Sequence, residues 1–115
     1  MKMADKRDIK RHRKRLTLRF GIERADRVGF TEDISRNGLF IKTVSPYPPN
    51  TRLYIEIAAS VGGIIKIEGR VRWIRRAPLN LIHLVNKCGM GIMITDINEG
   101  KERYNVLFHE SNGNK

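Results

Sequence analysis

The sequence predicts a mainly β protein: a small antiparallel barrel with a C-terminal α-helix and a flexible basic N-terminal arm. Three observations carry this. Apolar and polar residues alternate with a period of two in successive short stretches. Turn-forming residues separate those stretches at regular intervals. One late segment switches to helical spacing. At 115 residues the chain is the size of one domain, and removing its polar ends leaves roughly 90 to 100 residues to build a core.

Residues 1–14 are charged and show no apolar period, so burial cannot repay the entropy of ordering them. They are read as a flexible arm that a ligand would order, ahead of a barrel and helix over 15–109 and a disordered tail over 110–115. From Arg15 onward Leu16, Leu18, Phe20 and Ile22 alternate with polar positions, as a strand with one buried face does. Val28 and Phe30 mark a second strand. Leu39 and Ile41, following Gly38, mark a third, which ends at the cluster Pro46, Pro48, Pro49 and Asn50. Leu53, Ile55, Ile57 and Ala59 face one way, Gly62-Gly63 supplies a turn, and Ile65, Ile67, Val71 and Trp73 return, making the clearest hairpin pattern in the chain. Residues 77–87 read as irregular, with an apolar run at 79–85 assigned to core in preference to an effector patch. Met90, Ile92 and Ile94 form the last strand. Asp96 or Asn98 is placed to cap a helix whose apolar stripe is Tyr104, Leu107 and Phe108.

Twenty-three basic residues against 12 acidic ones give a net charge of +11, which selects for polyanionic partners: nucleotide, nucleic acid or anionic membrane. Much of the excess lies in the first fifth of the chain. The single cysteine, Cys88, excludes an intrachain disulfide. His12, His83 and His109 lack ligand spacing, so no metal is expected. There is neither an apolar signal core nor a run long enough to span a bilayer, so a soluble, cytoplasmic protein is expected. No nucleophile and base stand in a recognisable context, and no Walker-type loop precedes a helix, so no enzymatic activity is expected. Glu32 and Asp33, as neighbours on a strand, are expected on opposite faces and not as an acid and base pair.

Two short motifs carry binding chemistry. Arg11 and Arg15, four positions apart, can each present a planar fork of donors to phosphate oxygens or to a guanine O6/N7 edge; Arg7 and Arg11 repeat the same spacing. Asp33-Ile34-Ser35-Arg36-Asn37-Gly38 lies between two predicted strands. There Asn37-Gly38 favours a turn with positive φ, and Asp33 with Ser35 can meet the N1/N2 edge of a guanine or, alternatively, satisfy the turn backbone.

The two motifs in this order resemble the signature of the PilZ domain, a bacterial family. Gly69-Arg70-Val71-Arg72-Trp73 and Gly89-Met90-Gly91-Ile92 are similar to two later strands of that family, and the resemblance covers about residues 7–109. It implies a six-stranded antiparallel barrel with a C-terminal helix that binds the second messenger cyclic di-GMP without a further cofactor. It further implies that Arg11 and Arg15 clamp phosphate and guanine, that Asp33 and Ser35 meet a guanine edge, and that Gly38 allows close approach. Lys10 and Arg13 are candidates for additional phosphate contacts, and Arg36 is a further candidate contact in the turn that, with the surplus cations of the tail, also suits an acidic partner protein or nucleic acid. Trp73 is a candidate ligand contact, although a lone strand tryptophan more often belongs to a core. The expected role is that of a stand-alone receptor that relays the signal to an effector protein in motility, biofilm or virulence control. The alternatives are a basic barrel that binds RNA or DNA and a PilZ-like protein scaffold without nucleotide.

Overall fold

A computed structural model describes residues 11–59, 62–76 and 88–113, with side chains as far as Leu107. Among the described residues seven strands precede one helix: β1 His12–Arg13, β2 Thr17–Gly21, β3 Arg27–Ile34, β4 Gly38–Lys42, β5 Arg52–Ala58, β6 Ile64–Arg75, β7 Gly89–Glu99 and α1 Lys101–Gly113. Every pairing is antiparallel. Going round the sheet, β3, β2, β5, β6, β7 and β4 succeed one another, and β4 returns to β3, which closes a six-stranded barrel; β1 lies outside the ring as an additional strand on β3.

Alternation fills the barrel as the sequence implies. Leu18 and Phe20 from β2, Leu53, Ile55 and Ile57 from β5, and Ile65, Ile67 and Val71 from β6 point inward with Leu39, Ile41, Met90 and Ile92. Each such side chain contributes about 1.5–3 kcal/mol when fully buried. The hairpin between β5 and β6 closes as expected, with Gly62 and Gly63 at φ of 99° and 86°.

Several strands depart from the simple pattern, each for a local reason. On β3 the inward positions are Gly29 and Thr31, while Val28 is 62% exposed. A Cβ on Gly29 would stand 2.9 Å from the Phe20 ring, so the bulk of Phe20 fills the interior that a larger β3 residue would need. Ile22 lies beyond the end of β2 and is exposed. Trp73 does not continue the inward face of β6. Val71 pairs with Ile92 and Trp73 with Gly91, so Arg72 is an extra residue, and this bulge turns the tryptophan outward to 48% exposure.

The termini of the domain differ from the sequence boundaries as well. His12 and Arg13, expected within a flexible arm, pair as strand with Ile34 and Asp33. Asp96 and Asn98 cap no helix, because β7 runs through both of them. Gly100 makes the turn instead, at a φ of 83° that few other residues adopt. The helix continues to Gly113, past the expected end at 109, since a helical backbone needs no apolar side chains to add a turn and a terminal glycine suits its end. The proposed arm residues 1–10, the irregular 77–87 with its 79–85 run, the last two tail residues and the side chain of Phe108 lie outside the described structure.

Tyr104 and Leu107 bury the helix against the barrel at 1% and 2% exposure. The Tyr104 hydroxyl donates to the Ser35 carbonyl at 2.6 Å. Burial raises its pKa above the ordinary tyrosine value, against a smaller lowering by the Arg11 charge. The neutral phenol is therefore the form that stabilises the fold. Its contribution is complete below the unfolded value of about 10 and declines as the pH rises beyond it. Tyr104→Phe leaves a carbonyl in the turn without its donor, so urea denaturation at neutral pH is expected to show a loss of about 1–3 kcal/mol.

Candidate functional site

The site begins at the bulge in β3. Thr31 pairs with Ile41 and Asp33 with Phe40, leaving Glu32 as the extra residue. Glu32 and Asp33 are thereby sent to different partners: Glu32 accepts from Arg75 at 2.8 Å, while Asp33 Oδ1 accepts from Nε and Nη2 of Arg11 at 2.8 and 2.5 Å. Arg11 remains 46% exposed at the side chain and Asp33 25%. The pair sits at the surface, where an ion pair contributes little to stability, at most about 1 kcal/mol, and where a ligand can replace either partner.

β1 and β2 run along the same edge of β3, interrupted at 14–16. Thr31 is the reason. Its hydroxyl is fully buried, donates to the Lys14 carbonyl at 2.5 Å and accepts from the Leu16 amide at 2.8 Å. The main chain bonds on either side continue, from the Lys14 amide to the Glu32 carbonyl and from the Thr31 amide to the Leu16 carbonyl. This kink separates the two arginines of the first motif. Arg11 reaches Asp33, whereas the Arg15 guanidinium lies 4.3 Å from the centre of the Phe30 ring.

The second motif forms the tight connection from β3 to β4. Ser35 donates its amide to the Gly38 carbonyl at 2.8 Å, and its hydroxyl accepts from the Gly38 amide at 3.1 Å. The hydroxyl thus satisfies the turn backbone, the alternative role the sequence left open. Positive φ is not used here: Asn37 and Gly38 lie outside that region, and the Asn37 carbonyl instead accepts from the Ile94 amide of β7. Glycine is needed at 38 for space, because a Cβ would stand 2.4 Å from the Ile92 carbonyl oxygen.

Across β7 the pattern Gly-Met-Gly has a steric cause. A Cβ on Gly89 would meet the Phe40 ring at 2.6 Å, and one on Gly91 would meet the Trp73 indole at 2.4 Å. The two glycines let both rings lie against the strand. Phe40 and Trp73 pack with centroids 5.2 Å apart, and the Arg75 guanidinium caps Phe40 at 4.4 Å.

Between the Ser35–Gly38 turn and Trp73 lies a groove of about 300 Å³ with Arg11 at its edge and Gly91 to Met93 along its floor. It unites Arg11, Ser35, Gly38 and Trp73, with Asp33 held to Arg11. Arg13 and Arg15 do not line it; they border a separate hollow. Arg36 is exposed in the turn, and Lys10 lies outside the described residues. Arg72 and Met93 also wall the groove and donate and accept across it at 3.2 Å. Neither is singled out by the sequence, because strict alternation on β6 gives no sign that the bulge exposes Arg72 and Trp73 together. The two neighbouring glycines of β7 are the signal that a large ring lies over that strand.

A model of the PilZ domain matches residues 5–107. The chain belongs to the PilZ domain family. Among solved structures, the PilZ barrel described here is similar to the inhibitor of motility MotI/DgrA of Bacillus subtilis, with a TM-score of 0.64 and 17% identity. That match covers 85% of this chain and 46% of the other, so this PilZ chain corresponds to about half the neighbour's length. No curated protein matches it significantly. Among the described residues, no helix is long and apolar enough to cross a membrane.

Thr31→Val preserves shape and removes both bonds at the kink. Hydrogen exchange is expected to show faster exchange at Lys14 and Leu16 with little change in β5 and β6, and stability is expected to fall by about 1–3 kcal/mol.

Proposed function

We propose that this PilZ domain is a non-enzymatic receptor that binds cyclic di-GMP in the groove between the Ser35–Gly38 turn and Trp73. The observation that carries the proposal is the Arg11–Asp33 pair at the mouth of that groove, bonded at 2.5 Å yet accessible to solvent. A cyclic dinucleotide of guanine offers phosphate oxygens, a donor-bearing N1/N2 base edge and flat aromatic faces. Arg11 suits the first, the Asp33 carboxylate the second and the exposed face of Trp73 the third.

The ligand would take over bonds that Arg11 and Asp33 make with each other, so neither charge is left without a partner on binding. Arg15 serves the same ligand only if its guanidinium leaves Phe30, which makes the segment around the kink the element with two states. Lys10, Arg13 and Arg36 are placed in the same proposal as secondary phosphate contacts drawn in by that movement. Charge-assisted hydrogen bonds contribute about 1.5–3 kcal/mol each, so three or four of them, less the cost of ordering the arm, correspond to roughly micromolar affinity.

A nucleic-acid surface is less well supported. Phe20 and Phe40 are buried at 1% and 2%, and Trp73 is the exposed large aromatic among the described residues. Base-stacking surfaces ordinarily present several rings in succession. The relay to an effector protein in the cytoplasm belongs to the same proposal, and the structural likeness to an inhibitor of motility makes motility the first output to assay.

Calorimetric titration with cyclic di-GMP, and GTP as control, tests the site. Arg11→Ala and Asp33→Ala are each expected to weaken binding by about tenfold or more while the barrel stays folded. Unchanged affinity in both variants removes the assignment.

A further inference from the structure

On the other side of the kink, Arg13, Lys14, Arg15, Thr31, Glu32 and Lys42 line a hollow of about 290 Å³. It contains four cationic residues and one carboxylate, and that carboxylate, Glu32, is already bonded to Arg75 at 2.8 Å. Along the rim the Thr31 hydroxyl bonds the main chain at both Lys14 and Leu16. Nothing in the proposed nucleotide groove occupies this position.

The hollow opens beside apolar surface. Lys42 lies opposite Phe30 in the β3–β4 ladder, and Thr17 lies opposite Phe30 from β2. Val28, two residues along β3 and therefore on the same outer face, is 62% exposed, and its partner across β2 is Arg19. Phe30 itself is half-buried beneath Arg15. Cations therefore surround an apolar strip on the outside of β2, β3 and β4.

We propose that this surface docks an extended segment of a partner protein rich in Asp and Glu with interspersed aliphatic residues. Carboxylates would enter the hollow toward Lys42 and Arg13, and an aliphatic side chain would cover Val28. Charge complementarity selects an acidic occupant. The strip selects a peptide over a nucleic-acid strand, because Phe30 is covered by Arg15 and offers no face for a base to stack on. The recess selects a peptide over a bilayer surface, which meets protruding cations more readily than cations lining a concavity. Lys42, Val28 and Phe30 lie outside the proposed nucleotide groove, whereas Arg13 and Arg15 are shared with the movement proposed for nucleotide binding.

The test uses the full chain labelled with nitrogen-15 and a fluorescent peptide of alternating Glu and Leu. A Lys and Leu peptide, an oligothymidylate and phosphatidylserine vesicles form the comparison arms. The acidic peptide is expected to bind, to shift the amides of Val28, Phe30 and Lys42, and to lose affinity by about tenfold in Lys42→Glu and in Val28→Asp. Val28 is exposed, so its substitution keeps the test available if the Lys42 variant unfolds. Absence of binding, equal binding in the variants, shifts elsewhere on the barrel, or tighter binding of the oligonucleotide or vesicles at this face overturns the proposal. Cyclic di-GMP titrations of the same variants are expected to match the unsubstituted protein, which separates this surface from the groove.

Discussion

Strand β3 has to serve three neighbours, and the bulge at Glu32 is what allows it. Its first half pairs with β2 and its second half with β4, while its last residues also carry β1. Without the extra residue, one face of β3 could not supply Thr31 to the interior and then Ile34 to the interior three positions later. The same irregularity closes the barrel and distributes its charges. Thr31 holds the kink, Glu32 takes Arg75, and Asp33 takes Arg11.

From there the candidate site is tied to the C-terminal helix through few atoms. Ser35 closes the turn with its amide and hydroxyl, and its carbonyl receives the buried Tyr104 hydroxyl. The Arg11 charge is near enough to lower the Tyr104 pKa against the dominant effect of burial. The phenol is nonetheless uncharged at neutral pH, so what ties the turn to α1 is its hydrogen bond to the Ser35 carbonyl.

The barrel was legible in the sequence because its interior is built from β-branched and aliphatic residues at strict alternation, as in Ile55-Glu56-Ile57 and Ile65-Lys66-Ile67. What alternation could not convey were the bulges, above all the two beside the site. One extra residue at Glu32 and one at Arg72 reverse the facing of the residues beyond them, and neither position carries a distinctive residue type. The outward turn of Trp73, the role of Arg72 and the separation of Arg11 from Arg15 all arise from those bulges or from the kink at Thr31. A threonine buried for its hydroxyl looks, in sequence, like any strand threonine. The motif residues themselves were visible, and so was the second role of Ser35 in its turn. The strand at His12–Arg13 was not, because backbone pairing to β3 leaves no apolar trace in a stretch this basic.

Cyclic di-GMP added to nitrogen-15 labelled protein, with amide shifts as the readout, is the most direct measurement of whether the groove is the receptor site. Binding in the groove is expected to concentrate the shifts at Arg11 to Arg13, Asp33 to Gly38, Arg72 to Trp73 and Gly91 to Met93, with the β5–β6 turn unmoved. Shifts confined to the outer face of β2 and β5, or no shifts at ligand concentrations of about 100 μM, where binding weaker than about −5.5 kcal/mol would go undetected, would contradict it.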